Sequence, residues 1–192
     1  HEGVDGNFEA FDDVTHEPLR ADLVIRARAE ELKYFTEMDV YEYATIEECM
    51  NVTKKPPIGT RWIDINKGDA INTNYRSRLV AKEFKVDARP ELFAATPPTE
   101  CLRLLLSKAA ECRKRRVLYI DVSWAYFYAK SIRPTYIKLP EEDHRSGEAG
   151  LVGKLKYSMY GTRDAAQNWA EEYSATLIKA GYQRGKANPC LF

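Results

Sequence analysis

The chain has 192 residues, 44% of them hydrophobic, with 29 basic and 29 acidic residues. That length fits one domain or a piece of one, and the apolar share suffices for a core. No apolar run approaches the ~20 residues of a membrane span, no cationic-plus-apolar leader opens the chain, and the scattered histidines and widely spaced cysteines exclude H-E-x-x-H zinc chemistry and a disulfide scaffold, leaving reduced thiols as the expectation. The zero net charge is a cancellation. Residues 1–50 hold 14 acids against 4 bases, residues 51–120 hold 7 against 15, and residues 121–192 hold 8 against 10. From charge alone, mutual neutralisation at the surface is the simpler reading. A basic middle segment facing phosphate is the functional one.

Residues 1–20 read as a weakly ordered acidic lead-in, with Asp12 and Asp13 as solvated surface. A helix is expected from Asp22, its cap, with Ile25, Ala29, Leu32 and Phe35 as the apolar stripe. A short helix over Ile46–Met50 stops at Lys54-Lys55-Pro56-Pro57, because proline forbids continuation. Residues 60–66 (TRWIDIN) alternate, Asn66-Lys67-Gly68-Asp69 supplies turn chemistry, and residues 75–84 (YRSRLVAKEF) return as a hairpin. Alternation puts Arg76, Arg78, Val80 and Lys82 on one face of the return strand. Such a face is either solvated or turned to phosphate.

A helix capped by Thr99 is expected next, with Leu102, Leu105, Leu106 and Ala109 at helical spacing, ending in Arg113-Lys114-Arg115-Arg116. Residues 117–121 (VLYID) read as a compact apolar strand ending in a carboxylate. Weaker strands are expected at Tyr136–Leu139 and Leu151–Leu155. The last helix runs from Asp164 to Ala180, with Trp169, Tyr173 and Leu177 on its apolar edge and Gly181 as its stop. The order of elements reads as an α+β fold. Asp121 is the most informative residue. At the mouth of a strand it serves either as a turn or cap residue, or as a rigidly held oxygen ligand for a hard cation.

The segment YIDVSWAYF resembles the first catalytic motif of reverse transcriptases. GTRWIDINKGD with YRSRLVAKEF is similar to the fingers hairpin of copia-type LTR retrotransposon enzymes, and FAATPPTECLRLLLSKAAE to the loop and helix that follow it there. YIKLP, KYSMYGTRDAAQNW and GYQRGKANPCLF resemble further segments of that family, in its order, over roughly residues 25–192. The resemblance implies the fingers and partial palm of a right-hand polymerase over residues 21–192, mostly antiparallel sheet packed by helices. It implies an RNA-directed DNA polymerase that extends a primer 3′-hydroxyl with deoxynucleoside triphosphates on an RNA or DNA template, alongside the rest of a polyprotein and with no membrane. Two Mg²⁺ ions (or Mn²⁺) about 4 Å apart would clamp the reacting oxygens.

By the same resemblance Asp121 ligates the metals, joined by the backbone carbonyl of Val122. Tyr126 lies under the sugar and excludes a 2′-hydroxyl. Arg76, Arg78 and Lys82 are candidates for the triphosphate or template, and Gly161 allows close approach beside the nucleotide. Three departures stand out. Asp164-Ala165-Ala166 replaces the pattern's Gln-Ala-Pro, and Asp164 is read as a helix cap turned away from the triphosphate. Ala129-Lys130 stands where Asn-Gly is frequent. The remaining metal aspartates belong to a Tyr-x-Asp-Asp motif expected after Phe192, so the 192 residues are read as an incomplete, inactive part of the enzyme. A non-catalytic nucleic-acid-binding remnant of a decayed element is the alternative, and an interaction domain with a structural Asp121 is a third reading.

Overall fold

The structure is a computed structural model that describes residues 8–69, 71–84, 97–112, 114–118, 120–186 and 188–192. It is α+β, with antiparallel sheets packed by helices. The elements are β1 (Ala10–Phe11), β2 (Pro18–Leu19), α1 (Ala21–Glu37), β3 (Tyr41–Thr45), α2 (Ile46–Thr53), β4 (Thr60–Asn66), β5 (Tyr75–Ala81), α3 (Thr99–Ala110), β6 (Tyr136–Ile137), β7 (Leu151–Leu155) and α4 (Ala165–Lys179). A 3-10 turn spans Ala125–Tyr128.

The hairpin is as its sequence directs. β4 and β5 pair from Thr60↔Ala81 to Asn66↔Tyr75. Its turn is tied by side chains: Asn66 Oδ1 accepts from the N–H groups of Gly68 and Asn74, and Asp69 Oδ1 from that of Ile71. Ser77, Leu79 and Ala81 are buried on one face of β5, which leaves Arg76 and Arg78 on the other. A second sheet, in the order β3-β7-β6, is antiparallel throughout. Ile58 bridges to Ile137 and ties the approach to β4 onto that sheet. The main core lies where these parts meet, in Phe35, Val40, Leu79, Phe127, Ile137, Leu155 and Met159.

Several sequence expectations need correction. The described part of the lead-in, residues 8–20, is docked on the hairpin. Asp12 is 3% exposed. Its Oδ2 accepts from Asn66 N–H at 2.7 Å and its Oδ1 from the N–H groups of Val14 and Thr15. Asp13 accepts from Asp64 N–H at 2.9 Å. Backbone donors of the edge strand β4 thus make a staple of the two acids, in which Asp12 is buried while Asp13 keeps the exposure expected of it. Residues 1–7 lie outside the described residues.

α1 starts at Ala21 with Arg20 as its cap position, and Asp22 is an exposed first-turn acid paired with Arg20. Its buried face is Val24, Ala27, Glu31 and Phe35, whereas Ile25 is exposed. The stripe is rotated because Glu31 is bonded inside the fold. α2 runs past Met50 to Thr53, capped by Thr45, whose hydroxyl accepts from Glu48 N–H. β6 ends at Ile137 rather than Leu139.

α3 begins at Thr99, but the Thr99 side chain makes no cap bond, and no residue of the helix is buried. Of residues 117–121, the described Val117, Leu118, Ile120 and Asp121 form no strand with any described segment. Val117, Leu118 and Ile120 are exposed, because apolar content without a pairing neighbour does not make a ladder. Residues 93–96, Tyr119 and Ala187 of the quoted motifs lie outside the described residues, as does Arg113 of the expected helix end.

Candidate nucleotide cleft

A cleft of about 720 Å³ opens between α1, β5 and the turn that begins at Asp121. Its cationic wall carries Arg76 and Arg78 of β5 and Lys67 from the hairpin turn. Asp121, Val122 and Tyr160 line the same cavity, together with Glu30 and Glu31 of α1. Four sequence-predicted site residues therefore meet in one cavity. Asp121 is exposed and free to take a ligand. Its side chain forms no ion pair with a described residue, nor does that of Arg76.

Arg78 differs from Arg76. Its Nη1 donates to Glu31 Oε2 at 2.9 Å, and its guanidinium lies over the rings of Trp124 (5.1 Å) and Tyr160 (5.0 Å). Glu31 also accepts from Trp124 Nε1 at 2.7 Å. Burial pushes the Glu31 carboxyl above the ordinary range, opposed by the bonds from Trp124 and Arg78. Arg78 is thus already charge-compensated, and Arg76 and Lys67 are the cations left to meet phosphate.

Other expected residues fall elsewhere. Lys82 directly follows β5, and its N–H donates to Gly59 O, one step beyond the Thr60↔Ala81 pair in the same register. Its side chain lines two other cavities, one shared with Arg133 and one with Trp62. Four residues past Arg78, roughly 13 Å along an extended chain, Lys82 does not join Arg76 and Arg78 in the cleft. Tyr126 sits one layer behind the cleft, its ring 4.8 Å from that of Tyr160.

Gly161 does have a close neighbour, but the neighbour is protein. At φ +83°, a Cβ there would lie 2.0 Å from the carbonyl oxygen of Ala81. The same approach allows Ala81 N–H to bond Tyr160 O at 2.8 Å. Asp164 precedes α4 as expected, yet its side chain makes no cap bond. The carboxylate accepts from Arg133 Nη2 at 3.1 Å, which turns it away from the cleft.

Sequence reasoning missed Lys67, Tyr160 and Glu31. Lys67 and Tyr160 lie inside quoted motifs, and their signal was position beside a named residue. Glu31 had one signal, the 24-27-31-35 spacing that places it with Val24 and Phe35.

The cleft lies among segments with known relatives. The family model described as reverse transcriptase (RNA-dependent DNA polymerase) matches residues 43–192. The retrovirus-related Pol polyprotein from transposon TNT 1-94 of Nicotiana tabacum is 25% identical over 190 residues, which covers 96% of this chain and 14% of that protein. The corresponding polyprotein from transposon RE1 of Arabidopsis thaliana is 26% identical over 142 residues, covering 70% of this chain and 10% of the relative. No solved structure matches the chain. With the family pattern extending over most of its length, and transposon Pol polyproteins as relatives, this chain belongs to the reverse transcriptase (RNA-dependent DNA polymerase) family.

Proposed function

We propose that the chain is the polymerase segment of a copia-type retrotransposon polyprotein, extending a primer 3′-hydroxyl with deoxynucleoside triphosphates on RNA or DNA. Residues 21–192 supply the fingers and part of the palm in this reading, with β4–β5 as the fingers hairpin. The observation that carries it is the cleft, where Arg76 and Asp121 face one cavity from distant parts of the chain. Cations lining it offset phosphate charge, and a carboxylate in the same cavity is the group that phosphoryl transfer requires.

The residues present fit a divalent ion. The Asp121 carboxylate and the Val122 carbonyl are hard oxygen donors, and Mg²⁺ is commonly held by one or two carboxylates together with nucleotide phosphates. Bound there, Mg²⁺ or Mn²⁺ would polarise the phosphoryl group and stabilise both reacting oxygens. The protein's own share is to hold the α-phosphate in line. Arg76 and Lys67 take the triphosphate oxygens, Asp121 would hold the cation that offsets their charge, and Tyr126 bears on the sugar through Tyr160, the ring it backs, to keep out a 2′-hydroxyl. Two-metal chemistry needs further carboxylates, and Asp121 is the one that the family pattern assigns within these residues.

The test uses the 192 residues alone and in place of the matching segment of an active Pol polyprotein relative. Alone, they should extend no primer with Mg²⁺ or Mn²⁺. In the chimera, extension is expected, and Asp121→Asn should abolish it while primer–template binding persists. Extension indifferent to Asp121→Asn would refute the catalytic assignment. A chimera that binds primer–template without extending it would favour the non-catalytic reading.

A further inference from the structure

α1 lies ahead of residues 43–192, the span of the family match, yet it forms one wall of the cleft. Its contribution centres on Glu31, which is 3% exposed. A carboxylate that deep is costly unless donors hold it. Both of its described donors bond the same oxygen, Oε2, while Oε1 is buried with no partner among the described residues. Buried ion pairs are weak devices for stability, since apolar replacements of similar volume frequently do as well. The position of the two donors gives this one a different use. Arg78 belongs to the phosphate wall, and Trp124 ends the turn that starts at Asp121.

No strand ladder among the described residues holds that turn. Trp124 has φ 50° and ψ 38°, in the left-handed region. A bulky residue stays there only where its surroundings impose it. Three contacts do so: the Glu31 bond, the Tyr34 ring stacked at 3.7 Å, and the Arg78 guanidinium. Two of the three come from α1.

We propose that Glu31 is a positioning residue of the cleft: Oε2 ties Arg78 on the cationic wall to Trp124 on the Asp121 turn, and so sets the spacing that a metal-bound polyphosphate must bridge. The inference rests on the nucleotide reading given above. It assigns α1 a part in substrate geometry beyond packing.

The experiment titrates the 192-residue chain with inorganic tripolyphosphate and Mg²⁺ by calorimetry, and follows the Trp124 band in near-ultraviolet circular dichroism against Trp124→Phe. Glu31→Gln keeps a carbonyl oxygen for both donors while removing the charge. It should bind at least as tightly as the parent and keep the band. Glu31→Ala removes the bridge and should weaken binding about tenfold, although it makes the cleft more positive, and should lose the band. If Glu31→Ala does not melt cooperatively, Trp124→Phe carries the same test, with binding about fivefold weaker expected from one lost hydrogen bond.

Tighter or equal binding by Glu31→Ala would mean that Glu31 screens Arg78 instead of placing it, and would overturn the proposal. Glu31→Gln as weak as Glu31→Ala would overturn it too, as would unchanged binding by Trp124→Phe. A parent that does not bind tripolyphosphate refutes the nucleotide reading of the cleft. The Trp124 band then decides the bridge separately, and its survival in Glu31→Ala refutes it.

Discussion

Gly161→Ala separates two reasons for a glycine at that position. If the close approach is to Ala81, the cost falls on stability; if it is to nucleotide, the cost falls on binding. A Cβ at Gly161 would lie 2.0 Å from Ala81 O and 2.9 Å from Ala81 N. The backbone must therefore shift by more than an ångström, which as overpacking costs roughly 1–3 kcal/mol. The left-handed φ adds about 1–2 kcal/mol for any residue with a Cβ. Parting the Tyr160–Gly161 turn from β5 also lengthens the 2.8 Å bond from Ala81 N–H to Tyr160 O, a loss of about 1 kcal/mol. Together these give about 3–6 kcal/mol, a large part of the ~5–15 kcal/mol of a typical domain. With a urea m-value of roughly 1–3 kcal/mol/M, the unfolding midpoint should fall by at least about 1 M. Gly147→Ala is the control, because nothing lies within 4 Å of its Cβ position. It should stay within about 0.5 kcal/mol. A loss below about 1 kcal/mol for Gly161→Ala, with weakened polyphosphate binding, would refute the Ala81 argument and return the residue to the nucleotide side.

On primer–template, Arg76→Ala should reduce the slope of log affinity against log salt by about 1, and Arg78→Ala by less, since Glu31 already compensates Arg78; equal reductions would contradict the cleft electrostatics. Asp12 is held below the ordinary aspartate range, first by the Asn66 N–H and then by that of Thr15, so its stabilisation is complete above pH ~4 and disappears as pH falls through the lowered value. Asp12→Asn should therefore lower the unfolding free energy from urea titration at pH 7 by about 1–3 kcal/mol for the unmet Asn66 donor, and the gap to the parent should narrow in acid; a gap independent of pH would refute the staple. Leu102, Leu104, Leu105 and Leu106 of α3 are 49–57% exposed, so the chain should bind a hydrophobic dye, and Leu105→Glu should cut the signal without lowering the melting temperature; unchanged dye binding would place the patch elsewhere.

What could be read from the sequence divides by range of interaction. The β4–β5 hairpin was legible because its alternation and its Asn-Lys-Gly-Asp turn are local properties. The end of α4 was legible for the same reason: Gly181 takes φ 96° and the helix stops. The phase of α1 was misread because Glu31 was sorted by residue type, and its burial depends on donors from Arg78 and Trp124. Asp12 failed in the same way, through the distant Asn66 N–H. β3, with Tyr-Glu-Tyr-Ala-Thr, went unread because five residues carry little signal without their partner β7. For the site, Arg76 was legible from strand alternation and Asp121 from its carboxylate after an apolar run, and the two share the cleft, whereas Lys82, marked by the same alternation, lines other cavities because alternation does not say how far along the hairpin a cavity reaches.

The pairing of β3 with β7 governs when the domain can form during its own synthesis. Tyr41 meets Leu155 and Thr45 meets Leu151, so the middle strand of that sheet is made roughly 110 residues after β3, a wait of roughly 5–20 s at the usual pace of translation. The hairpin β4–β5 closes locally, and α1 docks on β5, so both can form within that wait. The cationic wall of the cleft is therefore built first, while β3 remains a nascent edge rich in tyrosine. Glu42, set between Tyr41 and Tyr43, puts a charge on that waiting strand and opposes its pairing with a neighbouring chain on the same polysome.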